Sequence, residues 1–236
     1  MTVFGICEKG NYRKENQDAI LLCKDGRSGL FIVADGVGGS ADGARASGFI
    51  IRKYDQWWKN VFLQRRRKNF FVLFEEIKRL AEEINGEICS GYGAGNISST
   101  IALLFIHKGI YGYLSAGDSR IYHCGRKGAR RITRDDVWEN LSGAYEDFRY
   151  AGRLVSAVGG YEELEYSCAT DKLHFGEIFM LCSDGIYKFM EEDFIKDNLR
   201  RFYHSFFLTK RMADQLITEA VDHDTRDNYS LIILKT

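Results

Sequence analysis

Seven short apolar runs, several of them only a few residues apart, constrain the fold of this chain of 236 residues. Each run has the length and the aliphatic or aromatic composition of a β-strand, and glycines lie in several of the gaps. The predicted strands are residues 19–23, 29–34, 99–106, 109–116, 119–123, 177–182 and 229–234. A parallel crossover needs about a dozen residues or more between its strands, so such short gaps predict hairpins and antiparallel pairing.

Two other segments carry apolar residues at helical spacing. The first lies in a region rich in Glu, Lys and Arg, and its apolar face is Leu73, Ile77, Leu80, Ile84 and Ile88. The second precedes the last strand, and its face is Ala213, Leu216, Ile217 and Ala220. Strand groups and helix groups are segregated, which predicts an α+β protein with antiparallel sheet inside and helices outside. Since no repeat or linker interrupts the chain, we expect a single domain over residues 1–236.

The charge balance limits the possible partners. Lys and Arg together number 33, as do Asp and Glu, so the formal net charge is zero. Nothing global therefore draws the chain to nucleic acid or to an anionic membrane. Glu8 and Lys9 stand where a secretory segment would need apolar residues, and no run approaches the roughly 18 apolar residues of a membrane helix. We therefore expect a cytoplasmic protein without nucleic-acid or membrane partners.

Five aspartates stand at predicted junctions between strands and turns, each beside Gly or Asn or at the start of a strand: Asp18, Asp35, Asp118, Asp184 and Asp227. If they converge, their mutual repulsion implies a neutralising cation. Oxygen ligands without His or Cys favour Mg²⁺ or Mn²⁺ over zinc or copper. The alternative is that each aspartate only forms a turn, because Asp-Gly and Asp-Asn are common in turns. Spacing alone leaves both interpretations open.

Six short motifs occur in order from residue 10 to residue 234. They are GNYRKENQD (10–18), VADGVGG (33–39), SST (98–100), GDSRIY (117–122), CSDGIY (182–187) and RDNYSLIIL (226–234). Together they resemble the motifs of the PPM family, the type 2C metal-dependent serine/threonine protein phosphatases, and they match its bacterial branch best. The resemblance implies a four-layer αββα sandwich of two antiparallel sheets flanked by helices.

The resemblance also implies a metal site. Asp35 would bridge two Mn²⁺ or Mg²⁺ ions, with the Gly36 carbonyl and Asp18 serving one ion and Asp184 and Asp227 the other. Two such ions can activate a shared water as the nucleophile.

Two further residues follow from the motif positions. Asp118 would help to hold a weaker third ion, although it could instead fix the turn before residue 120. Arg13 matches the phosphate-binding arginine, whose planar fork can hold two phosphate oxygens. Arg13 and Asp35 are thus the expected catalytic residues. A cysteine mechanism is not expected, because the resemblance is to phosphatases that attack with metal-activated water and not with a thiolate.

The match to the family weakens in three places. Val37 stands where many eukaryotic members carry a histidine, so the general acid is not identified. Gln17 replaces a glutamate of some relatives, which reduces the negative charge behind the ions. Residues 141–160 match the flap, but they are short and atypical. Four flap side chains could contact a phosphopeptide or merely anchor the loop: Tyr145, Phe148, Arg149 and Tyr150.

The expected function is hydrolysis of phosphoserine and phosphothreonine in proteins, opposing a Ser/Thr protein kinase. Its partners would be phosphorylated proteins, including such a kinase or its targets, and the chain is expected to be a monomer. One alternative is a catalytically weak or inactive module that uses the PPM fold for binding. Another is a phosphatase of small-molecule esters or of a regulatory factor.

Overall fold

The computed structural model describes residues 1–37, 42–140, 152–188, 190–205, 210–222 and 225–236. Within these ranges the strands, in chain order, are β1 (Thr2–Glu8), β2 (Asp18–Asp25), β3 (Ser28–Val37), β4 (Ser98–Ser99), β5 (Ile101–His107), β6 (Ile110–Ala116), β7 (Arg120–Gly125), β8 (Gly128–Arg131), β9 (Ser167–Lys172), β10 (Ile178–Cys182) and β11 (Tyr229–Lys235). They form two sheets, one in the order β1-β11-β10-β7-β8 and the other in the order β2-β3-β5-β6-β9, with β4 paired to β3. The strand pairs are antiparallel.

Helices cover the outer faces of both sheets. They are α1 (Asp42–Trp57), which continues into a π-helix (Trp58–Phe62) and α2 (Leu63–Arg65), then α3 (Phe70–Tyr92), a 3₁₀ turn (Trp138–Asn140), α4 (Asp184–Tyr187), α5 (Glu192–Tyr203) and α6 (Lys210–Asp222). Helices α1 and α3 pack on the sheet that contains β3, whereas α5 and α6 pack on the sheet that contains β10. Across the described ranges, no helix combines the length and the apolarity needed to cross a membrane.

The hydrophobic core has three layers because side chains alternate along each inner strand. In β3, Leu30, Ile32 and Ala34 pack under α1 and α3, while Phe31 and Val33 face the second sheet. The same alternation divides β5, β10 and β11 between an outer layer and the layer between the sheets. Strands buried on both faces read as continuous apolar runs, which is why the sequence shows them so clearly.

The predicted fold class is confirmed: two antiparallel sheets are flanked by helices in an α+β arrangement. All seven predicted strands are present, and the two predicted helical faces lie on α3 and α6. Three further strands, β1, β8 and β9, lie at sheet edges and were not predicted. Their residues are mostly half-buried or exposed, so they lack a continuous apolar run. The single domain over 1–236 stays a prediction.

Candidate metal centre

The topology brings the five predicted aspartates to the same end of the two sheets. Asp18 begins β2 and Asp35 lies near the end of β3, and the two are paired directly across the ladder. Asp184 follows β10 and Asp227 precedes β11, on the neighbouring sheet. Asp118 lies where the chain passes from β6 in one sheet to β7 in the other. Residues that are far apart in the sequence thus share one rim of the sandwich.

Ser183 links the two sheets at this rim. Its hydroxyl donates to Asp18 Oδ2 at 2.7 Å, and the same Oγ accepts the Ser230 amide at 2.9 Å. Ser183 is fully buried, and it directly precedes Asp184. One side chain therefore fixes the position of Asp18 relative to β10 and β11.

The backbone around Asp35 is held by residues of the SST motif. The Asp35 carbonyl accepts from the Thr100 amide at 2.8 Å and from the Ser99 hydroxyl at 2.9 Å. The Asp35 amide donates to Thr100 Oγ1 at 3.0 Å. Ser99 and Thr100 thus hold the backbone of Asp35 in place.

Gly36 permits a close approach that a side chain would block. A Cβ atom at Gly36 would lie 2.4 Å from the carbonyl of Gly43 and 2.8 Å from the Gln17 carbonyl oxygen. The Gly36 amide donates to that same Gln17 oxygen at 3.1 Å, which also accepts the Ser47 hydroxyl at 2.6 Å. The start of α1 is thereby packed against the Asp35-Gly36 corner.

Asn228 organises the loop that carries Arg13. Its Oδ1 accepts from the Gln17 amide at 2.9 Å, and its Nδ2 donates to the carbonyls of Lys9 at 2.8 Å and Glu15 at 3.0 Å. Arg13, between those anchor points, donates from Nη2 to Asp227 Oδ2 at 2.6 Å. The first and last motifs of the chain are therefore joined into one structure.

The turn at Asp118 is fixed mainly by another aspartate. Asp136 Oδ2 accepts the Gly117 amide at 3.1 Å, and the Asp136 amide donates to the Gly117 carbonyl at 3.0 Å. Ser119 shares a 2.6 Å hydrogen bond with Thr100 Oγ1. The Tyr187 hydroxyl donates to the Asp118 carbonyl at 2.9 Å. Asp136, Ser119 and Tyr187 thus hold this turn in place.

Arg120 and Asp135 form a support beneath this turn. Arg120 donates from Nε and Nη2 to the two oxygens of Asp135, at 3.1 and 2.7 Å, and Arg131 contacts the same carboxylate at 2.9 Å. The Arg120 guanidinium also lies 3.5 Å from the centre of the Tyr187 ring. A bidentate pair under an aromatic ring is a rigid arrangement. It fixes the start of β7 against α4.

Burial and mutual repulsion shift the titration of the clustered carboxyl groups. Burial raises the pKa of Asp18 to about 6, against hydrogen bonds that favour its ionised form, with Asp184 adding to the increase. The pKa of Asp118 also rises to about 6, first through burial and then through Asp184. The pKa of Asp35 lies well above its usual range because of burial and then the charges of Asp18, Asp184, Asp118 and Asp227. These carboxylates therefore share one electrostatic environment.

The donor set suits a hard divalent cation. Asp18 Oδ1 and Asp184 Oδ1 are buried and make no hydrogen bond, which is costly for a carboxylate without a cation. Carboxylate and carbonyl oxygens are the ligands that Mg²⁺ and Mn²⁺ prefer. Among the described side chains, no three of His, Cys, Asp and Glu already converge on one point as a finished metal cage. Two predicted ligands are instead paired internally, Asp227 with Arg13 and Asp184 with Lys188.

Sequence reasoning missed Ser183, Asp136 and Asn228 as residues that build the site. Asn228 and Ser183 stand next to predicted ligands inside the quoted motifs, so their positions were a usable signal. Their bonds span 211 and 165 residues, which no local pattern reveals. Of the predicted substrate contacts, Tyr145, Phe148, Arg149 and Tyr150 lie outside the described residues.

Comparisons with known proteins find similar bacterial protein phosphatases. No family model matches the chain. A protein of Listeria welshimeri named serine/threonine phosphatase Stp is 25% identical over 246 residues, which cover 97% of this chain and 93% of the relative. A Mycoplasma genitalium protein, named provisionally as a protein phosphatase, is 23% identical over 98% of this chain and 93% of its own length.

Among solved structures, serine/threonine phosphatase Stp1 of Staphylococcus aureus matches with a TM-score of 0.84 and 20% identity. The match covers 99% of this chain and 94% of Stp1. Over nearly its whole length, the chain is similar to PPM-type bacterial serine/threonine phosphatases. The resemblance predicted from the motifs is therefore confirmed, as is the assignment to serine/threonine phosphatases, which are hydrolases. PPM-type phosphatases depend on metal ions, in agreement with the oxygen-rich rim described above.

Proposed function

We propose that this PPM-type chain hydrolyses phosphoserine and phosphothreonine in cytoplasmic proteins at a dinuclear Mg²⁺ or Mn²⁺ centre, opposing a Ser/Thr protein kinase. The observation that carries the proposal is the pair of buried, unpartnered oxygens, Asp18 Oδ1 and Asp184 Oδ1, in a cluster of five aspartates. Such a cluster is stable only with a cation or with protons to neutralise it.

The proposed ligands divide between two ions. Asp35 would be shared, with Asp18 and the Gly36 carbonyl on one side and Asp184 and Asp227 on the other. When bound, two divalent cations activate water as a nucleophile and neutralise charge on the phosphoryl oxygens. The hydrogen bonds from Ser183 to Asp18 and from the Asp35 amide to Thr100 Oγ1 hold two of these ligands in place.

Arg13 is proposed to bind the phosphate of the substrate. Its guanidinium is half exposed at the rim and is held there by the 2.6 Å bond to Asp227. A guanidinium can present two parallel N–H groups to phosphate oxygens, which orients the ester for in-line attack and stabilises developing negative charge. Arg13 is thus a substrate-binding and catalytic group at the edge of the metal centre.

An inactive binding module is the weaker alternative. Such a module would be expected to lack at least one ligand, whereas the chain has Asp18, Asp35, Asp184 and Asp227 together with Arg13. A phosphatase of small-molecule esters would use the same chemistry and differ only in the residues around the rim. Phosphoproteomics of a deletion strain would separate this possibility from protein substrates.

The decisive test is hydrolysis of p-nitrophenyl phosphate and of a phosphothreonine peptide, with Mn²⁺ and with EDTA. We expect turnover that requires Mn²⁺, and a loss of at least about a hundredfold in Asp35→Asn because the shared ligand is weakened. Asp193→Asn is a matched control, since Asp193 is exposed on α5 and is not one of the five clustered aspartates. Well-folded wild-type protein without Mn²⁺-dependent turnover would overturn the proposal.

A further inference from the structure

Lys188 places a positive charge beside a predicted metal ligand. Its ammonium lies 3.2 Å from Asp184 Oδ2, and its amide donates to the Asp184 carbonyl at 2.9 Å. The short helix α4 sets this spacing, because residues four apart lie on the same face of a helical turn. Lys188 is therefore part of the rim, although no role was predicted for it from the sequence.

The two oxygens of Asp184 have different surroundings. Oδ2 contacts the Lys188 ammonium, whereas Oδ1 is buried and makes no hydrogen bond. A carboxylate held by an internal cation on one oxygen can offer the other to a metal ion. It cannot offer Oδ2 to another cation unless Lys188 leaves.

Asp118 lies on the same side of the site. Tyr187, the residue before Lys188, donates its hydroxyl to the Asp118 carbonyl, which fixes Asp118 close to α4. Lys188 and Tyr187 thus tie Asp184 and Asp118 to the same short helical turn.

We propose that the Lys188 ammonium competes for the carboxylate of Asp184 with a third divalent cation bound beside Asp118. This inference rests on the proposed dinuclear centre and concerns only the additional ion. Lys188 makes the third site weak by neutralising Asp184 Oδ2 from within the chain. It leaves Asp184 Oδ1 free for a core ion.

The test is a titration with Mn²⁺ alone, in which free Mn²⁺ is counted by its electron paramagnetic resonance signal. We expect wild type to bind two ions and then a third more weakly. In Lys188→Gln the third step should become about five- to tenfold tighter, because one positive charge no longer competes at short range. Lys188→Arg keeps the charge and should resemble wild type. The Lys188 side chain is 60% exposed, so its replacement is not expected to disturb the core.

Two controls make the result specific. Lys196→Gln removes an ammonium from an equivalent i,i+4 pair with Glu192 on α5, and it should leave every step unchanged. In the double variant Asp118→Asn/Lys188→Gln, the increase in affinity for the third Mn²⁺ ion should be lost. If Lys188→Gln bound the third Mn²⁺ ion no more tightly than wild type, this inference would be overturned and the proposed function would stand. Absence of any Mn²⁺ binding by wild type would overturn it together with the proposed function.

Discussion

At the scale of single residues, Asn228 shows how one buried amide can organise a functional loop. It is 3% exposed and bonds Gln17, Lys9 and Glu15, on both sides of Arg13. Each of these partners is a backbone group that needs a bond when it is shielded from water. The position of Arg13 therefore depends on Asn228 as well as on Asp227.

We expect Asn228→Ala to destabilise the protein and to weaken substrate binding together. Loss of three hydrogen bonds, with their backbone partners left in place, should lower the free energy of unfolding by about 2–4 kcal/mol. KM for a phosphopeptide should rise because the Arg13 loop is released. Urea denaturation and steady-state kinetics measure the two effects. Asn96→Ala is the control, since the Asn96 amide makes an exposed local bond to Tyr92.

Arg13→Ala should separate substrate binding from metal binding. Loss of charge-assisted bonds to phosphate is expected to raise KM about tenfold or more, while Mn²⁺ is still bound. Arg13→Lys should recover only part of the loss, because an ammonium lacks the planar fork. Arg27→Ala, at an exposed position in the β2–β3 hairpin, is the control. An unchanged KM in Arg13→Ala would remove Arg13 from the phosphate site.

At the scale of elements, α4 is pressed against the start of β11. A Cβ atom at Gly185 would lie 2.0 Å from the Asn228 carbonyl oxygen, which is too close for any side chain. The Gly185 carbonyl also accepts the Thr225 hydroxyl at 3.0 Å. The glycine of the CSDG motif thus sets the distance between the segments that carry Asp184 and Asp227.

Two helical glycines should respond oppositely to alanine. Gly185→Ala should lower the free energy of unfolding by about 1–3 kcal/mol or more, because α4 or β11 must shift. Gly86→Ala in α3 should raise it by about 0.5–1 kcal/mol, since a Cβ there meets nothing within 4 Å and alanine favours the helix. Thermal or urea denaturation measures both changes. Equal effects of the two substitutions would contradict this account of Gly185.

The burial of each strand and helix explains which elements can be predicted from the sequence. Strands β3, β5, β10 and β11 are buried on both faces, so their apolar runs predict them. Helix α5 was missed because, of its twelve residues, only Ile195, Asn198 and Leu199 are buried, too few for a clear periodic face. The aspartates were found through motifs, but the pairing of Asp18 with Asp35 depends on strand register. Contacts such as that of Ser183 with Asp18 exist only after the two sheets pack.

At the scale of the whole molecule, the proposed metal centre lies where the two sheets meet at one rim. Each sheet contributes carboxylates, and packing brings them together while removing them from water. Folding therefore has to overcome the free-energy cost of desolvating these carboxylates and the repulsion between their charges. The rest of the molecule, with its three-layer core, stabilises a site that is unfavourable without cations.

The cost of burying these carboxylates predicts how the stability of the protein depends on pH when EDTA removes the metal ions. Asp18 and Asp118 have a pKa of about 6 in the folded protein, above the value near 4 of an exposed aspartate. Between these values the folded state binds more protons than the unfolded state, so the free energy of unfolding falls as pH rises from about 4 through about 6. In EDTA the cluster should cost on the order of 3 kcal/mol at pH 8 relative to pH 5.

Comparison of wild type with Asp35→Asn isolates this effect from other titrating groups. Burial lowers the pKa of His123, so that residue contributes with the opposite sign, but it contributes equally to both proteins. In EDTA, Asp35→Asn should be more stable than wild type, by a margin that grows from pH 5 to pH 8, because one charge is missing from the cluster. Mn²⁺ should reverse the order, since wild type then gains more from binding the ion than the variant does. Urea denaturation across this pH range, in EDTA and in Mn²⁺, measures the free energies of unfolding of the two proteins. If wild type were more stable than Asp35→Asn in EDTA, the carboxylates at the rim would not be repelling one another.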